Sequence, residues 1–346
     1  MLIIENDISK VLNDWLLKNS NSQVFILVDE NTEKLCFSLL KLQNKAVLIK
    51  IKSGEEFKTL NTCQFIWSEL LQNKADRKAL LINLGGGVIC DMGAFCASTY
   101  KRGIDFVNIP TTLLSQVDAS VGSKTGIDFQ EQKNMIGLFS DAKEIIIDSV
   151  FLKTLEKREL LSGLAEVLKH GLILDYNYFA DTISSYNSSK TNWLEIIRKS
   201  IEIKSKIVKA DPTEKGLRKI LNFGHTVGHA LESFSLKCHN KPIKHGEAVI
   251  IGMIAELYLS NKKMNLCQLK MDETIQQLLT IYSFKKLEAY TTEEVFEFAL
   301  NDKKNNGNNI SCVLLEDLGK AKYDVLISKS EFSDALHFLT KTIQSD

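Results

Sequence analysis

Apolar and polar residues in the first 150 positions alternate between short apolar runs and longer stretches with helical periodicity. The run Lys78–Leu84 is almost wholly apolar, which is typical of a strand buried on both faces of a parallel sheet. It leads into Gly85-Gly86-Gly87 and a helical pattern that reaches Tyr100. This alternation predicts a parallel, Rossmann-like sheet. The other predicted elements are strands at Gln23–Val28, Ala46–Ile51, Ile104–Ile109 and Lys143–Ile147, and helices at Glu33–Leu42 and from the Ser53/Glu56 capping-box pattern to about Asn73.

Helical periods dominate after about Phe151. We therefore predict two domains, an α/β domain at 1–150 and a mostly α-helical domain at 151–346, with the functional site in a cleft between them. The predicted elements of the second domain are helices at Glu159–Gly171, Asn192–Lys209, Leu217–Leu236, Gly246–Leu259 and Glu293–Leu300, and short strands at Ile310–Leu315 and Lys322–Ile327.

Composition narrows the possible partners and the cellular compartment. Lysine plus arginine and aspartate plus glutamate number 43 each, so zero net charge offers no general attraction to nucleic acid or membrane surfaces. No apolar run approaches the roughly 18 residues of a membrane span, and the N-terminus lacks the basic region of a signal peptide. The seven cysteines are odd in number and form no Cys-x-x-Cys, which favours reduced thiols in the cytoplasm. Any anionic ligand must therefore be held by locally placed cations.

The glycine stretch Gly85–Gly87 follows the buried strand and opens a helix. Glycine lets the backbone approach a phosphate, which can rest on the N–H groups at the positive end of the helix. The match to G-x-G-x-x-G is incomplete because Cys90 occupies the sixth position. A nucleotide site and a tight turn without a ligand both remain open on this evidence. Asp91 would either bind a ribose or nicotinamide group or act as a first-turn acid.

Four of the six histidines lie in three glycine-flanked stretches, 163–170, 221–229 and 245–247. His225 and His229 are four apart in a helical pattern, so both imidazoles face the same way. Thr226 stands where zinc proteases need a glutamate, which disfavours proteolysis. Glu166 and His245 are candidate further ligands, since two histidines and a carboxylate are a common zinc set. Core histidines without a metal are the alternative.

Cations and amides lie in or beside these stretches. Arg218, Asn222 and His225 follow an i, i+4, i+7 spacing that predicts one helical face. Such a face is suited to receive an anion and hydroxyl groups next to a metal. Any single lysine could instead be a solvated surface charge that takes no part in ligand binding. The other candidates are Arg102, Lys124, Lys133, Asn134, Lys169, Lys204, Lys303 and Lys304.

Taken together, the motifs resemble those of the 3-dehydroquinate synthase family, in family order over roughly residues 53–307. Three positions depart from the family pattern, since Cys90 and Ser123 stand where glycine is usual and His170 where tyrosine is common. The shared motifs are Ser53-Gly-Glu-Glu-Phe-Lys58, Gly85–Asp91, Arg102-Gly103, Pro110–Gly126, Lys133–Gly137, Gly163–Lys169, Asp211–Ala230, His245–Ala248 and Asp302-Lys-Lys304.

The resemblance implies a fold, an activity and two cofactors. The fold would be an α/β, Rossmann-like NAD-binding domain followed by a mostly α-helical metal-binding domain. The protein would be a cytoplasmic, homodimeric carbon–oxygen lyase of the shikimate pathway, with NAD and one divalent metal, zinc or cobalt. It would convert 3-deoxy-D-arabino-heptulosonate 7-phosphate to 3-dehydroquinate plus phosphate. The steps would be transient oxidation of C5 by NAD, phosphate elimination, re-reduction of C5 and intramolecular aldol closure.

The resemblance also assigns roles to individual residues. The metal ligands would be Glu166, His225 and His245, which leaves His229 for substrate binding or proton transfer. NAD would contact Ser53, Gly54, Glu55, Glu56, Phe57, Lys58, Gly87, Val88, Ile89, Cys90, Asp91, Thr111, Thr112, Lys124, Lys133, Phe151, Leu152, Lys153 and Thr154. The substrate would contact Asp118, Lys124, Asn134, Lys169, Lys204, Arg218, Asn222, His229 and Lys304 or Lys303, and Arg102 would reach the site of a neighbouring subunit.

Three alternatives accompany this interpretation. Another sugar phosphate cyclase would act on a substrate without a carboxylate, but Lys204, Arg218 and Asn222 favour a carboxylate-bearing substrate. An alcohol dehydrogenase of the glycerol dehydrogenase type would accumulate NADH. A metal-binding or regulatory module without catalysis would have lost a ligand or a phosphate-binding cation, and the sequence retains them.

Overall fold

The computed structural model describes residues 2–119, 122–130, 132–238, 242–284, 292–300 and 309–344. Cα packing divides the chain into two compact units. The first comprises Met1–Leu160 with Trp193–Ile201, and the second comprises Leu161–Asn192 with Glu202–Asp346. The division at residue 150 stays a prediction.

Within the described residues, the first unit is built on a six-stranded parallel sheet with the strand order β1-β8-β5-β4-β2-β3. The predicted α/β, Rossmann-like class is confirmed. β6 and β7 form a separate antiparallel ribbon. The elements are β1 (Leu2–Ile4), α1 (Ile8–Lys18), β2 (Val24–Asp29), α2 (Glu30–Leu35), β3 (Val47–Ile51), α3 (Leu60–Gln72), β4 (Leu80–Gly85), α4 (Gly87–Thr99), β5 (Asp105–Pro110), β6 (Lys124–Phe129), β7 (Gln132–Phe139) and β8 (Glu144–Ile147).

The two faces of the sheet bury separate apolar cores. On β2, Phe25 and Leu27 pack into the core that contains residues of α3 and α4. Ile26 and Val28 point to the other face and pack with residues of α1. Because successive strand residues face opposite sides, burial on both faces requires an unbroken apolar run. This is the physical origin of the apolar pattern that predicted these strands.

The second unit is mostly helical, as predicted. α5 begins in the first unit and continues into the second, and α7 is divided between the units after Ile201. No helix of the described ranges is long and apolar enough to cross a membrane. The elements are α5 (Lys157–Leu174), α6 (Tyr176–Asn187), α7 (Trp193–Ala210), α8 (His225–Cys238), α9 (His245–Met264), α10 (Gln268–Leu279), α11 (Thr292–Leu300), β9 (Ile310–Asp317), β10 (Lys320–Ile327) and α12 (Lys329–Gln344).

The prediction of one helix over Leu217–Leu236 is wrong. The segment contains a 3-10 helix at Leu217–Asn222 and then α8, which begins at His225. Gly224 separates them with a φ of 79°, in the left-handed region that glycine adopts without strain. Apolar periodicity continues through this turn, so it could not reveal the break.

Two predicted helices of the first unit are also shorter than expected. The segment Glu33–Leu42 divides into α2 and a 3-10 helix at Phe37–Leu40. The helix expected from Ser53 begins only at Leu60, where the Thr59 side chain accepts a hydrogen bond from the backbone of the first turn. A Ser-x-x-Glu pattern therefore marks a short 3-10 turn here instead of the true helix start.

Candidate functional site

Glu166 lies in the middle of α5, and its side chain is only 1% exposed. The start of α9 packs directly on this helix. A Cβ on Gly246 would lie 2.3 Å from Cα of Ser162, and the Gly246 N–H donates to Ser162 Oγ at 3.0 Å. Only glycine permits this approach, which brings the neighbouring His245 to Glu166.

His225 is the first residue of α8, and a buried carboxylate fixes this helix start. Glu256 of α9 accepts hydrogen bonds from the backbone N–H groups of Gly224, Thr226 and Val227, at 2.6, 3.1 and 3.2 Å. These N–H groups are among those that a helix leaves unsatisfied at its N-terminus. The contact therefore sets the position of His225 relative to α9.

The two imidazoles converge on one oxygen of Glu166. His225 Nε2 lies 3.4 Å and His245 Nε2 3.5 Å from Glu166 Oε1. Among the described residues, neither oxygen of this buried carboxylate has a hydrogen-bond partner of acceptable geometry. Ligand atoms about 2.0–2.1 Å from a tetrahedral zinc ion are separated by about 3.4 Å. Both separations from Glu166 Oε1 match those of ligands around one divalent cation, and the ligand-capable nitrogens of His225 and His245 lie within 4.8 Å of each other.

The other nitrogen of each imidazole is held by a hydrogen-bond acceptor. His225 Nδ1 lies 3.1 Å from the carbonyl oxygen of Phe223, and His245 Nδ1 lies 3.1 Å from Glu232 Oε2. An Nδ1–H that donates to these oxygens leaves the Nε2 lone pair available. Outer partners of this kind are the usual supports of metal-binding histidines.

The electrostatics of the cluster keep Glu166 ionised. Burial would raise the pKa of Glu166, but the charges of Lys169 and His225 hold it well below its usual range. Burial together with Lys169 lowers the pKa of His225. Burial would also lower the pKa of His245, but the carboxylates of Glu166 and Glu232 raise it to about 10. An ionised carboxylate and a neutral imidazole are the forms that bind metals, so Glu166 and His225 are held in those forms, whereas His245 must release a proton when a metal binds.

His229 and Lys169 border the cluster in different ways. His229 lies one turn after His225 on α8, exposed, with ring centroids 4.8 Å apart, so the two imidazoles lie on one face as predicted. The ligand-capable nitrogens of His225, His229 and His245 all lie within 4.8 Å of one another, which defines an alternative donor set. Lys169 is buried and forms an ion pair with Glu166 Oε2.

The second unit also contains the polar candidates Lys204, Arg218 and Asn222. Arg218 and Asn222 lie on the 3-10 helix before Gly224, so the prediction that they share a helical face with His225 is wrong. Arg218 is buried and donates to the carbonyl oxygen of Pro212 at 2.8 Å. Lys204 of α7 is also buried. Such buried cations can bind carboxylate or phosphate oxygens strongly, because little water competes for them.

In the first unit, the turn between β4 and α4 has the geometry of an anion site. Gly86 is the N-cap of α4 and makes no side-chain capping bond. The N–H groups of this first turn are suited to a phosphate. A Cβ on Gly85 would lie 2.5 Å from Cβ of Ile89, so the tight turn also has a packing reason. Cys90 is buried, and its Sγ lies 3.6 Å from the Gly85 carbonyl oxygen.

Asp91 lies one turn into α4, so it is not a first-turn acid. It forms an ion pair of 2.7 Å with the buried Lys58, whose ammonium also donates to Asn134 Oδ1 at 2.7 Å. Burial would lower the pKa of Lys58, but Asp91 and Glu55 raise it overall. A cavity of about 280 Å³ within this unit is lined by residues that include Cys90, Asp91 and Lys124.

The other candidates lie at defined places in the first unit. Thr111 and Thr112 follow β5, and the Thr111 N–H donates to the Gly85 carbonyl oxygen at 3.0 Å. Asp118 lies in a π-helical turn at Ser115–Ala119. The remaining assignments are Ser53–Lys58, which includes the 3-10 turn Glu55–Phe57; the α4 start Gly87–Ile89; Lys133 on β7; Phe151–Thr154 in the 3-10 helix Ser149–Thr154; and the exposed Arg102. Lys303 and Lys304 lie outside the described residues.

Sequence reasoning missed three carboxylates that support these groups. Glu232 follows His225 by seven positions on α8, and this helical spacing could have revealed it. Glu214 Oε1 accepts a hydrogen bond from Asn222 Nδ2 at 3.0 Å. Neither this contact nor that of Glu256 has a signal in sequence spacing, because each depends on how separate segments pack.

Solved structures define the class of fold. A 2-deoxy-scyllo-inosose synthase complexed with carbaglucose-6-phosphate, NAD+ and Co2+ matches with a TM-score of 0.86 and 21% identity, covering 97% of this chain and 95% of that one. A 2-epi-5-epi-valiolone synthase from Streptomyces hygroscopicus matches with a TM-score of 0.86 and 24% identity, covering 99% and 96%. A glycerol dehydrogenase from Schizosaccharomyces pombe matches with a TM-score of 0.63 and 16% identity, covering 99% of this chain and 90% of that one. These likenesses establish the fold alone.

Sequence comparisons define the family. The family models for the 3-dehydroquinate synthase N-terminal and C-terminal parts match residues 48–162 and 163–305. A 3-dehydroquinate synthase of Parabacteroides distasonis is 38% identical over 344 residues, covering 97% of each chain. One from Campylobacter jejuni is 39% identical, covering 90% of this chain and 93% of the relative. The chain belongs to the 3-dehydroquinate synthase family.

Proposed function

We propose that this protein converts 3-deoxy-D-arabino-heptulosonate 7-phosphate into 3-dehydroquinate and phosphate, as a carbon–oxygen lyase of the shikimate pathway. Family membership over most of the chain supports this activity. The observation that carries it in the structure is the convergence of His225 and His245 on the buried Glu166. A buried carboxylate is costly unless its charge is compensated; Lys169 pairs with Oε2, and a cation between Oε1 and the two imidazoles would complete the compensation.

One divalent metal, zinc or cobalt, is bound by Glu166, His225 and His245 in this proposal. The fit rests on the spacing of the ligand atoms and on the orientation of both imidazoles through Nδ1. Bound there, the metal would lower the pKa of chelated substrate hydroxyls and polarise a neighbouring carbonyl. The related cyclases solved with Co2+ or Zn2+ support the choice of metals.

NAD is held by the first unit in this proposal. The α4 N-terminus at Gly86–Gly87 binds its pyrophosphate, and Asp91, kept in place by Lys58, binds a ribose or nicotinamide group. NAD held there would supply reversible hydride transfer at C5 of the substrate, with no net oxidation. Relatives solved with NAD+ support this cofactor.

The chain's own cations bind and orient the substrate. Lys204 and Arg218 are buried, which strengthens their attraction for the substrate carboxylate and phosphate. Holding both anionic ends fixes the substrate in one reactive conformer. His229 is exposed beside the metal-binding histidines and is our candidate for moving a proton. Lys169 keeps Glu166 ionised and stands beside it as a second candidate.

The active form in this proposal is a cytoplasmic homodimer in which Arg102 acts on the neighbouring subunit's substrate. Arg102 is exposed and has a φ of 69°, next to Lys101 at 51°. Left-handed backbone costs non-glycine residues about 1–2 kcal/mol each. Strain of this kind is often retained where a side chain has a functional direction. The lack of net charge agrees with a small sugar phosphate as the partner instead of nucleic acid.

The test is an assay of the purified protein with the heptulosonate phosphate, NAD and zinc. Phosphate and dehydroquinate should form in equal amounts, and NADH should not accumulate. NADH formation from glycerol without phosphate release would instead identify a polyol dehydrogenase. Turnover of a seven-carbon sugar phosphate that lacks a carboxylate, with none of the heptulosonate, would identify a different cyclase.

A further inference from the structure

Glu232 lies on α8, on the same face as His225 and two turns after it. Its side chain is 10% exposed, and Oε2 lies 3.1 Å from Nδ1 of His245. Glu232 and His245 belong to different helices, so this contact ties the imidazole on α9 to α8. Burial of a carboxylate is costly unless a hydrogen-bond donor or a positive charge compensates it.

The contact determines which nitrogen of His245 keeps a proton when the imidazole is neutral, as metal binding requires. A carboxylate oxygen only accepts hydrogen bonds, so Nδ1 must donate to Glu232. The Nε2 atom then offers its lone pair on the side where Glu166 Oε1 lies, 3.5 Å away. A rotated ring or the other tautomer would lose both the hydrogen bond to Glu232 and the direction of the Nε2 lone pair toward Glu166.

The two ligand histidines differ in how they are supported. His225 donates from Nδ1 to the backbone carbonyl of Phe223, which no side-chain substitution removes. His245 depends on a side chain. It is also the first residue of α9, where the chain has only just entered the helix. The orientation of its Nδ1 therefore depends on the Glu232 side chain, which a substitution can remove.

We propose that Glu232 is a positioning residue for the metal site, which fixes the orientation and tautomer of His245 for metal binding. This inference rests on the proposed function. Glu232 acts through the imidazole and is not assigned to the metal or the substrate. Its loss should therefore weaken metal affinity before it affects any other step.

Zinc dissociation constants of the full-length protein, measured by chelator competition at one pH, test this role. Glu232→Ala should bind zinc about 10–100-fold more weakly than the wild type. Glu232→Gln keeps an oxygen that accepts from Nδ1–H and should recover most of this loss. The control is Glu331→Gln at the start of α12, where Glu331 accepts from the Ser328 N–H and pairs with Lys263. It should keep wild-type zinc affinity.

The outcomes separate this inference from the proposed function. Unchanged zinc affinity in Glu232→Ala would overturn the positioning role, as would a folded Glu232→Gln that is no better than the alanine variant. Thermal unfolding of each metal-free variant shows whether it is folded. If Glu232→Ala is not folded, Glu232→Leu replaces it, and a wild-type zinc affinity in Glu232→Leu would overturn the positioning role. A wild-type protein that binds no zinc would instead refute the metal site of the proposed function, and this inference with it.

Discussion

The cluster around Glu166 places opposite charges in a region with little water. A buried carboxylate is costly unless it is paired, and Lys169 provides one partner while the two imidazoles face its other oxygen. A divalent cation between these three ligand atoms would supply the missing compensation. The same burial that makes Glu166 costly without a partner makes it a strong ligand.

Glu166→Gln should remove this ligand while preserving the shape of the side chain. The neutral amide cannot replace an anionic ligand, so zinc affinity should fall by more than the roughly 100-fold that loss of an outer partner can cause. Turnover should be abolished. Metal content after dialysis and phosphate release measure the two effects. Glu159→Gln on the same helix should retain both, whereas a fully active Glu166→Gln that retains metal would refute the ligand assignment.

For single residues of the candidate site, the sequence predicts which residue types take part better than it predicts the role of each. Spacing alone pairs His225 with His229, because a helix makes neighbours of residues four apart. It cannot show that Glu166 and His245 arrive from two other helices, and that assignment came from the family resemblance. The Glu232 contact was within reach of spacing, since it lies seven positions after His225.

The helices α8 and α9, which carry His225 and His245, pack with their backbones in contact. A Cβ on Gly252 of α9 would lie 1.9 Å from the carbonyl oxygen of Gly224, and one on Gly228 would lie 2.6 Å from that of Ala248. The two backbones therefore touch, and only glycine fits. This contact fixes the distance between the helices that carry His225 and His245.

Gly252→Ala should force these helices apart. Alanine improves helix propensity by up to about 1 kcal/mol, but overpacking against backbone should lower the free energy of unfolding by at least about 2 kcal/mol overall. Denaturant unfolding measures the change. Ser233→Ala on the exposed face of α8 is the control and should stay within about 0.5 kcal/mol. An unchanged stability in Gly252→Ala would contradict the close packing.

Element boundaries show where pattern reasoning stops. The strands of the sheet were predicted because burial on both faces leaves continuous apolar runs. The helix over Leu217–Leu236 was wrong because apolar periodicity continues through the turn at Gly224. The ribbon of β6 and β7 was not predicted, since β7 is exposed along most of its length and carries no alternating pattern.

Over the whole molecule, the order of one α/β part and one mostly helical part was predictable, because the change of pattern is large. The composition of the compact units was not, since α7 contributes to both and lies beyond the first 150 residues. Contacts that join distant segments leave no periodic signal. The homodimer stays a proposal that rests on family resemblance and on the exposed, strained Arg102.

Subunit mixing tests whether Arg102 acts on its neighbour. Arg102→Ala and Glu166→Gln should each be inactive alone. In a mixed dimer, the subunit that retains Glu166 receives Arg102 from the other subunit, so one of its two sites is complete. Random exchange in a twofold dimer should restore about a quarter of wild-type activity. No recovery after confirmed subunit exchange would show that Arg102 acts within its own chain, or not at all.

Anomalous diffraction at the zinc edge from crystals of the zinc-loaded protein tests the central claim most directly. The expected result is one strong peak about 2.0–2.2 Å from a carboxylate oxygen of Glu166 and from Nε2 of His225 and His245. His229 should lie outside coordination distance. A peak bound by His225, His229 and His245, with Glu166 not coordinated, would contradict the proposed site.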